Sequence, residues 1–253
     1  MSPLAISLIV LLCIFGSSLF GLLVRSRLPD QHLNSDTKEV VKLVVGIVGT
    51  MTGMVLGLLV ASAKSSFDSQ CDGVTQLSAN VIVLDRALAH YGPEAKETRR
   101  LLRETVRDMI PRIWQDETPS SARSTGAGDV ADYEALYDQL LKLEPKSEAQ
   151  RTTHGLAIKI VHDTAEMRWL LYSKRNSSIP LAFLVLMVGW LAITFASYGL
   201  FAPRNSTTLA VLLLGSIVVS SAVFLILELD HPFGGLMHIS SEPLQNALSQ
   251  IGR

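Results

Sequence analysis

The chain has 253 residues, 48% of them hydrophobic, with a formal net charge of −1 and a mean hydropathy of +0.33. A near-even balance of 22 basic and 23 acidic residues builds no cationic surface for nucleic acid, and two cysteines are too few for a disulfide framework. Most of the charge lies between Lys64 and Arg175, whereas Pro3–Val24, Leu43–Ala63, Asn176–Pro203 and Asn205–Leu227 carry none. Each uncharged stretch supplies the ~20 residues needed to cross a hydrocarbon core, so the sequence predicts an all-α polytopic membrane protein with the lipid bilayer as solvent.

The first span covers about residues 3–24. Met1-Ser2-Pro3 offers no basic region, no A-x-A site follows the apolar run, and Arg25 and Arg27 come after it, so it reads as a retained helix rather than a cleaved signal. Cys13 in this span and Cys71 beyond the second read as unpaired packing thiols.

The second span, about 43–63, carries a ladder of small residues: Gly49, Gly53, Gly57, Ala61 and Ser65, each four positions after the last. Lipid gives helices no hydrophobic reason to associate, so they meet where small side chains let backbones approach. Two readings stand side by side: a tight seam within one protomer, or convergence of several copies on an oligomeric axis. Lys42 and Lys64 bracket the span, ~33 Å apart along a helix. They either anchor at the two interfaces or, if the helix faces an axis, ring the mouths of a pore and favour anions.

Beyond Lys64 the apolar residues Phe67, Cys71, Val74, Leu77, Val81, Leu84, Leu88 and Tyr91 follow gaps of three and four, one face of a helix. Nothing between Ala63 and Phe67 breaks the chain, which predicts a single continuous helix from the second span to Gly92. Gly92-Pro93 then supplies a stop and restart. Leu102, Val106, Ile110 and Ile113 give the face of the next helix, and Pro111 predicts a kink or an end. Residues 118–129 read as a polar loop, followed by helices over Val130–Leu143 and Ser147–Ser173, the latter presenting Ile158, Val161, Ala165 and Trp169. His154 and His162, eight positions apart, are too distant for joint metal ligation and read as a solvated face.

Spans three and four cover about 180–201 and 207–227. The spans then form two pairs around a helical extramembrane insert at 64–178, giving segments 1–63, 64–178 and 179–253. The insert and both termini share one side; the positive-inside count does not choose which. Glu228-Leu229-Asp230-His231-Pro232-Phe233-Gly234-Gly235 follows the last span at the membrane boundary, with a sharp turn at Pro232 and the glycines. Its acids either sit in water at headgroup level, bind a cation, or neutralise Arg168, Lys174 or Arg175. In the tail, Ser241 is the expected cap of a short helix whose apolar edge is Leu244, Leu248 and Ile251; it docks on the insert or lies at the interface. No phosphate loop, H-E-x-x-H, paired-Cys motif or nucleophile elbow appears, so no catalytic residue, metal site or cofactor is expected.

The stretch Leu227–Gly235, including Glu228, Asp230, His231, Pro232, Phe233 and Gly235, together with Ile239-Ser240-Ser241-Glu242-Pro243-Leu244, resembles the C-terminal signature of a bacterial membrane family of unknown function described as bestrophin-like. Gly57-Leu58-Leu59-Val60-Ala61 through Ser66-Phe67-Asp68, Leu84-Asp85-Arg86 and Tyr91-Gly92 are similar to that family's second-helix region. The layout further resembles bestrophins, oligomeric chloride channels with a cytosolic insert and a second helix lining the pore. That resemblance implies a homo-oligomer in the bacterial inner membrane, with ions as cargo and the insert and termini in the cytosol. The second span departs from bestrophins in carrying glycines and no aromatic where their pore helix has bulky neck residues. The expectation is an oligomeric ion channel lined by the second helix, with anions as the favoured ion. Its alternative is a non-conducting sensor or scaffold acting through the insert.

Overall fold

The computed structural model describes residues 2–27, 35–114, 132–173 and 181–251. The expected 118–129 loop, Lys174 and Arg175 lie outside the described residues. The described residues are helical, without strand: α1 (Pro3–Arg25), α2 (Ser35–Tyr91), a short 3-10 turn (Pro93–Ala95), α3 (Lys96–Trp114), α4 (132–141), α5 (Glu148–Ser173), α6 (Leu181–Phe201), α7 (Ser206–Leu229) and α8 (Glu242–Gln250). Four of them, α1, α2, α6 and α7, are long and apolar enough to cross a membrane. The chain divides into two compact units, one of Met1–Phe67 with Ser177–Asp230, the other of Asp68–Asn176 with His231–Arg253.

In the first unit α1 packs on α6 and α7. Ser2 caps α1 by accepting the Ala5 N–H at 3.3 Å, with Pro3 in the first turn where its missing donor costs nothing. The buried stripe Ser7, Val10, Ile14, Ser18, Gly21 and Leu22 advances by three and four, as one face of a helix must. Val10, Ile14 and Leu22 meet Met187, Leu191 and Phe195 of α6 and Leu212 and Val223 of α7 in one core. The closest approach is between α1 and α6. A Cβ on Gly21 would collide with the Ala196 carbonyl oxygen and lie 2.9 Å from Leu200 N, and one on Gly199 would collide with the Ser18 carbonyl. The Ser18-x-x-Gly21 and Ala196-x-x-Gly199 pairs thus form a small-residue seam that lets two backbones touch. Polar ties complete it: Ser220 Oγ donates to the Ser7 carbonyl at 2.6 Å, Arg25 donates to the Ala202 carbonyl, and Arg204 to the Leu22 carbonyl at 2.7 Å. The two arginines satisfy carbonyls at each other's helix ends, where cations are favoured.

In the second unit the face expected on α2 is the one buried: Val74, Leu77, Val81, Leu84, Leu88 and Tyr91 are each 3% exposed or less. α2 stops at Gly92, whose φ of 125° lies where only glycine is at ease, and Gln150 Nε2 donates to the freed Tyr91 carbonyl at 2.9 Å. Asp85, buried on the same helix, takes Arg99 of α3 in a two-pronged pair at 2.8 and 3.0 Å. α3 neither ends at Pro111 nor loses its register there. It runs to Trp114, with the proline on the exposed side near the C-terminus, where little helix remains to be disrupted.

On α5 the buried residues are Ala157, Ile160, Val161 and Leu171, and Trp169 stands 70% exposed, contrary to the face read from the sequence. Arg168 occupies that stripe instead, its guanidinium 5.7 Å from the Tyr133 ring centre. His154 is likewise not on a solvated face: it is half-buried and its Nε2 donates to the Leu140 carbonyl at 2.8 Å. α8 docks on α3 through Leu244, Ala247 and Ile251, all within 1% of complete burial, with Leu248 half-buried. Ser241 is its N-cap, as expected, but without a side-chain capping bond: the Ser241 hydroxyl receives Gln245 Nε2 at 2.8 Å, and Ser240 Oγ accepts the Glu242 N–H at 3.1 Å.

Candidate functional site

The small-residue ladder lies on α2, and its direction is the main finding. Gly53, Gly57, Ala61 and Ser65 are exposed, and a Cβ on Gly53 or Gly57 would meet no other atom within 4 Å. Of the ladder's three glycines, Gly49 alone has a neighbour among the described residues, the Tyr198 hydroxyl at 3.8 Å from such a Cβ. The ladder is therefore not the close seam within the protomer; that role belongs to Gly21 and Gly199.

The rest of the span is equally open. Of the most apolar stretch of each crossing helix, 33% is buried in α1 and α6, 28% in α7 and 11% in α2. What α2 buries in its span is a thin line, Val45, Thr52 and Ala63, flanked by Leu56 and Leu59, which pack on the cores around Val223 and Ile226. At 3.6 residues per turn, Gly46, Gly53 and Gly57 share one arc of the helix, and Leu43, Ile47, Met51, Met54 and Leu58, all exposed, fill the next. Hydroxyls do not perturb this surface: Thr50 and Thr52 return their protons to the carbonyls of Gly46 and Val48.

The two bracketing lysines differ. Lys64 is exposed at the far end of the span, its ammonium 5.9 Å from the Phe67 ring centre. Lys42, also exposed, lines a groove of about 530 Å³ between α2 and the α6–α7 turn, together with Val45, Phe201, Asn205, Thr208 and Leu212.

The boundary cluster does not come together as one cation site. Glu228, in the last turn of α7, and Asp230, its C-cap, are buried, whereas His231 is exposed; each of the three makes an interaction of its own. From His231 on, the chain belongs to the second unit. There Pro232 accepts the Ile239 N–H at 2.7 Å, Gly235 takes a φ of 79° that completes the turn, and Phe233 stands edge-on to Trp114 at 5.8 Å. Trp114 Nε1 donates to the Ile239 carbonyl at 2.6 Å, so the signature segment is a clasp between the loop and α3. Among the described residues no group of three or more His, Cys, Asp or Glu could hold a metal ion. Cys13 and Cys71 are both free.

Comparison with known proteins bears on the whole chain. No curated protein matches the sequence. The fold matches solved structures: a point mutant of the bacterial Bestrophin homolog from Klebsiella pneumoniae at 15% identity and TM-score 0.69, over 97% of this chain and 99% of that one. A second mutant of the same homolog matches at 15% identity and TM-score 0.71 over 95% of each chain, and a structure described as a membrane protein at 15% and 0.71 over 98% and 99%. The family model of the Bestrophin-like domain matches residues 12–244. With the four apolar helices, the shared fold and this match, the chain belongs to the Bestrophin-like family.

Proposed function

We propose that this protein is an oligomeric ion channel of the bacterial membrane in which α2 lines the shared axis. The observation that carries the reading is the outward-facing part of the ladder, Gly53, Gly57, Ala61 and Ser65: all four are exposed, and among the described residues a Cβ on either glycine would meet no other atom within 4 Å. A span this bare exposes apolar side chains such as Met51, Met54 and Leu58 to bind neighbouring copies, while the glycine arc permits several α2 helices to converge. In this arrangement α1, α6 and α7 form the outer wall, the spans fall in two pairs, and the insert and both termini lie together on the cytosolic side. A reporter fused after Arg253 tests that side.

The bestrophin resemblance and Lys64 favour anions. Lys42 lines the α6–α7 groove, and Lys64 stands exposed at the other end of the span, where a ring of its ammoniums would charge a mouth. Purified protein in planar bilayers is expected to give discrete conductance; silent bilayers from a folded, proven oligomer overturn the reading. A second reading rests on the 57 unbroken residues of α2, which run from the first unit into the second. Such a helix can carry a displacement, and a non-conducting sensor or scaffold would use it so. Size-exclusion with light scattering separates the two, because a monomer has no axis.

A further inference from the structure

We infer that the groove between α2 and the α6–α7 turn is a binding site for an anionic phospholipid of the surrounding bilayer. Its volume, about 530 Å³, falls within the ~300–1,000 Å³ of pre-formed small-molecule sites. The walls are apolar, with Val45 of α2 facing Phe201 of α6 and Leu212 of α7. Polar groups gather where helices begin and end: Lys42 near the start of the α2 span, and Asn205 and Thr208 at the start of α7. The site is therefore an amphiphile in negative, an apolar slot closed at one end by a cation and side-chain hydrogen-bonding groups.

The charge of the polar end selects the headgroup. Asn205 Oδ1 is taken by the Thr208 N–H at 2.8 Å, and Arg25 and Arg204 are taken by the Ala202 and Leu22 carbonyls. Lys42 has no ion-pair partner among the described residues and stays available to a phosphate. The slot opens on a surface made of spans, so the molecule that meets it at the highest concentration is lipid. A phospholipid meets both ends of the site, the acyl chain against Val45 and Phe201 and the phosphate at Lys42, and an anionic headgroup leaves no second cation to compete for that phosphate.

The test is native mass spectrometry of the delipidated protein in its purified assembly state, given equal phosphatidylglycerol and phosphatidylethanolamine. The wild type is expected to retain phosphatidylglycerol preferentially. Val211→Trp narrows the slot from its α7 wall, at a position 62% exposed and away from the glycine arc of α2; retained lipid is expected to fall to background. Lys42→Gln, a surface change without packing cost, is expected to keep lipid but lower the anionic preference about fivefold. Gly16→Trp, on the open face of α1, is the control and leaves retention unchanged. Equal retention of the two lipids by the wild type overturns the inference. So does lipid binding untouched by Val211→Trp, including the case in which that variant breaks the oligomer instead and the groove is a seat for a second copy. None of these outcomes depends on whether the protein conducts.

Discussion

Glycines at equal sequence prominence do different work in this chain, and substitution separates them. At Gly21 and Gly199 any side chain drives into a backbone carbonyl across the α1–α6 seam, and a backbone cannot swing aside as a flexible side chain would. Gly21→Leu or Gly199→Leu is expected to cost about 3 kcal/mol or more and to lower the Tm of the detergent-solubilised protein sharply. Gly53→Leu meets nothing inside the protomer. It is expected to leave the Tm of the monomeric species nearly unchanged while shifting light-scattering mass toward monomer; an unaltered oligomer reduces the ladder to ordinary lipid-facing surface. The ladder was legible because four-residue spacing is visible in one dimension, but its direction was not, since that depends on which neighbour occupies the other side. The seam is hidden in the sequence for the opposite reason. Its small residues come as two short i, i+3 pairs on helices nearly two hundred residues apart, Ser18 and Gly21 against Ala196 and Gly199, and neither pair stands out alone. The Asp85–Arg99 pair is a second residue-scale constraint. Arg99→Leu removes both prongs of this pair from a carboxylate on a residue 1% exposed and is expected to destabilise by about 1.5–3 kcal/mol, read as loss of helical signal on heating.

The reach of sequence periodicity shows at the scale of elements. α1, α6 and α7 lie within a few residues of their uncharged stretches, since length and absence of charge define them, and α2 encloses the fourth, Leu43–Ala63. α2 continues to Tyr91 as its three-and-four spacing required. The same logic failed on α5, where Thr164 and Arg168 lie on the packed stripe and Trp169 on the open side. Long cationic side chains cover apolar surface with their stems, so a hydrophobicity pattern credits the neighbouring tryptophan with a face it does not hold. For α8 the sequence leaves two destinations, the insert or the interface, because an apolar edge names no partner. Its seat on α3 gives a direct test. Leu244→Asp places a charge at a position with no exposure and is expected to release the tail, raising hydrogen exchange across 242–251 and admitting protease, while α1, α6 and α7 keep their protection. Unchanged exchange over α8 would mean that the Trp114–Ile239–Phe233 clasp alone holds the tail.

For the whole molecule the decisive quantity is what covers α2. A crossing helix that buries 11% of its apolar stretch against its own chain leaves the rest to lipid, to other copies, or to water along an axis. These three neighbours differ in thiol chemistry, which gives a test independent of conductance amplitude. In a background with Cys13→Ala and Cys71→Ala, the chain's only native thiols are gone, and single cysteines can be placed along the ladder. Gly53→Cys and Gly57→Cys are expected to form disulfide-linked pairs under mild oxidation, because copies meeting at glycines bring Cα atoms within the ~4.4–6.8 Å that a disulfide spans. In bilayers the same variants are expected to lose current on exposure to a charged, membrane-impermeant thiol reagent, since only a water-filled axis delivers it to mid-span. Gly16→Cys, open on α1 with nothing within 4 Å, is expected to do neither. Crosslinking without block would mean that α2 helices pair around a dry seam, which favours the sensor reading. Failure of both at every rung would return the ladder to lipid.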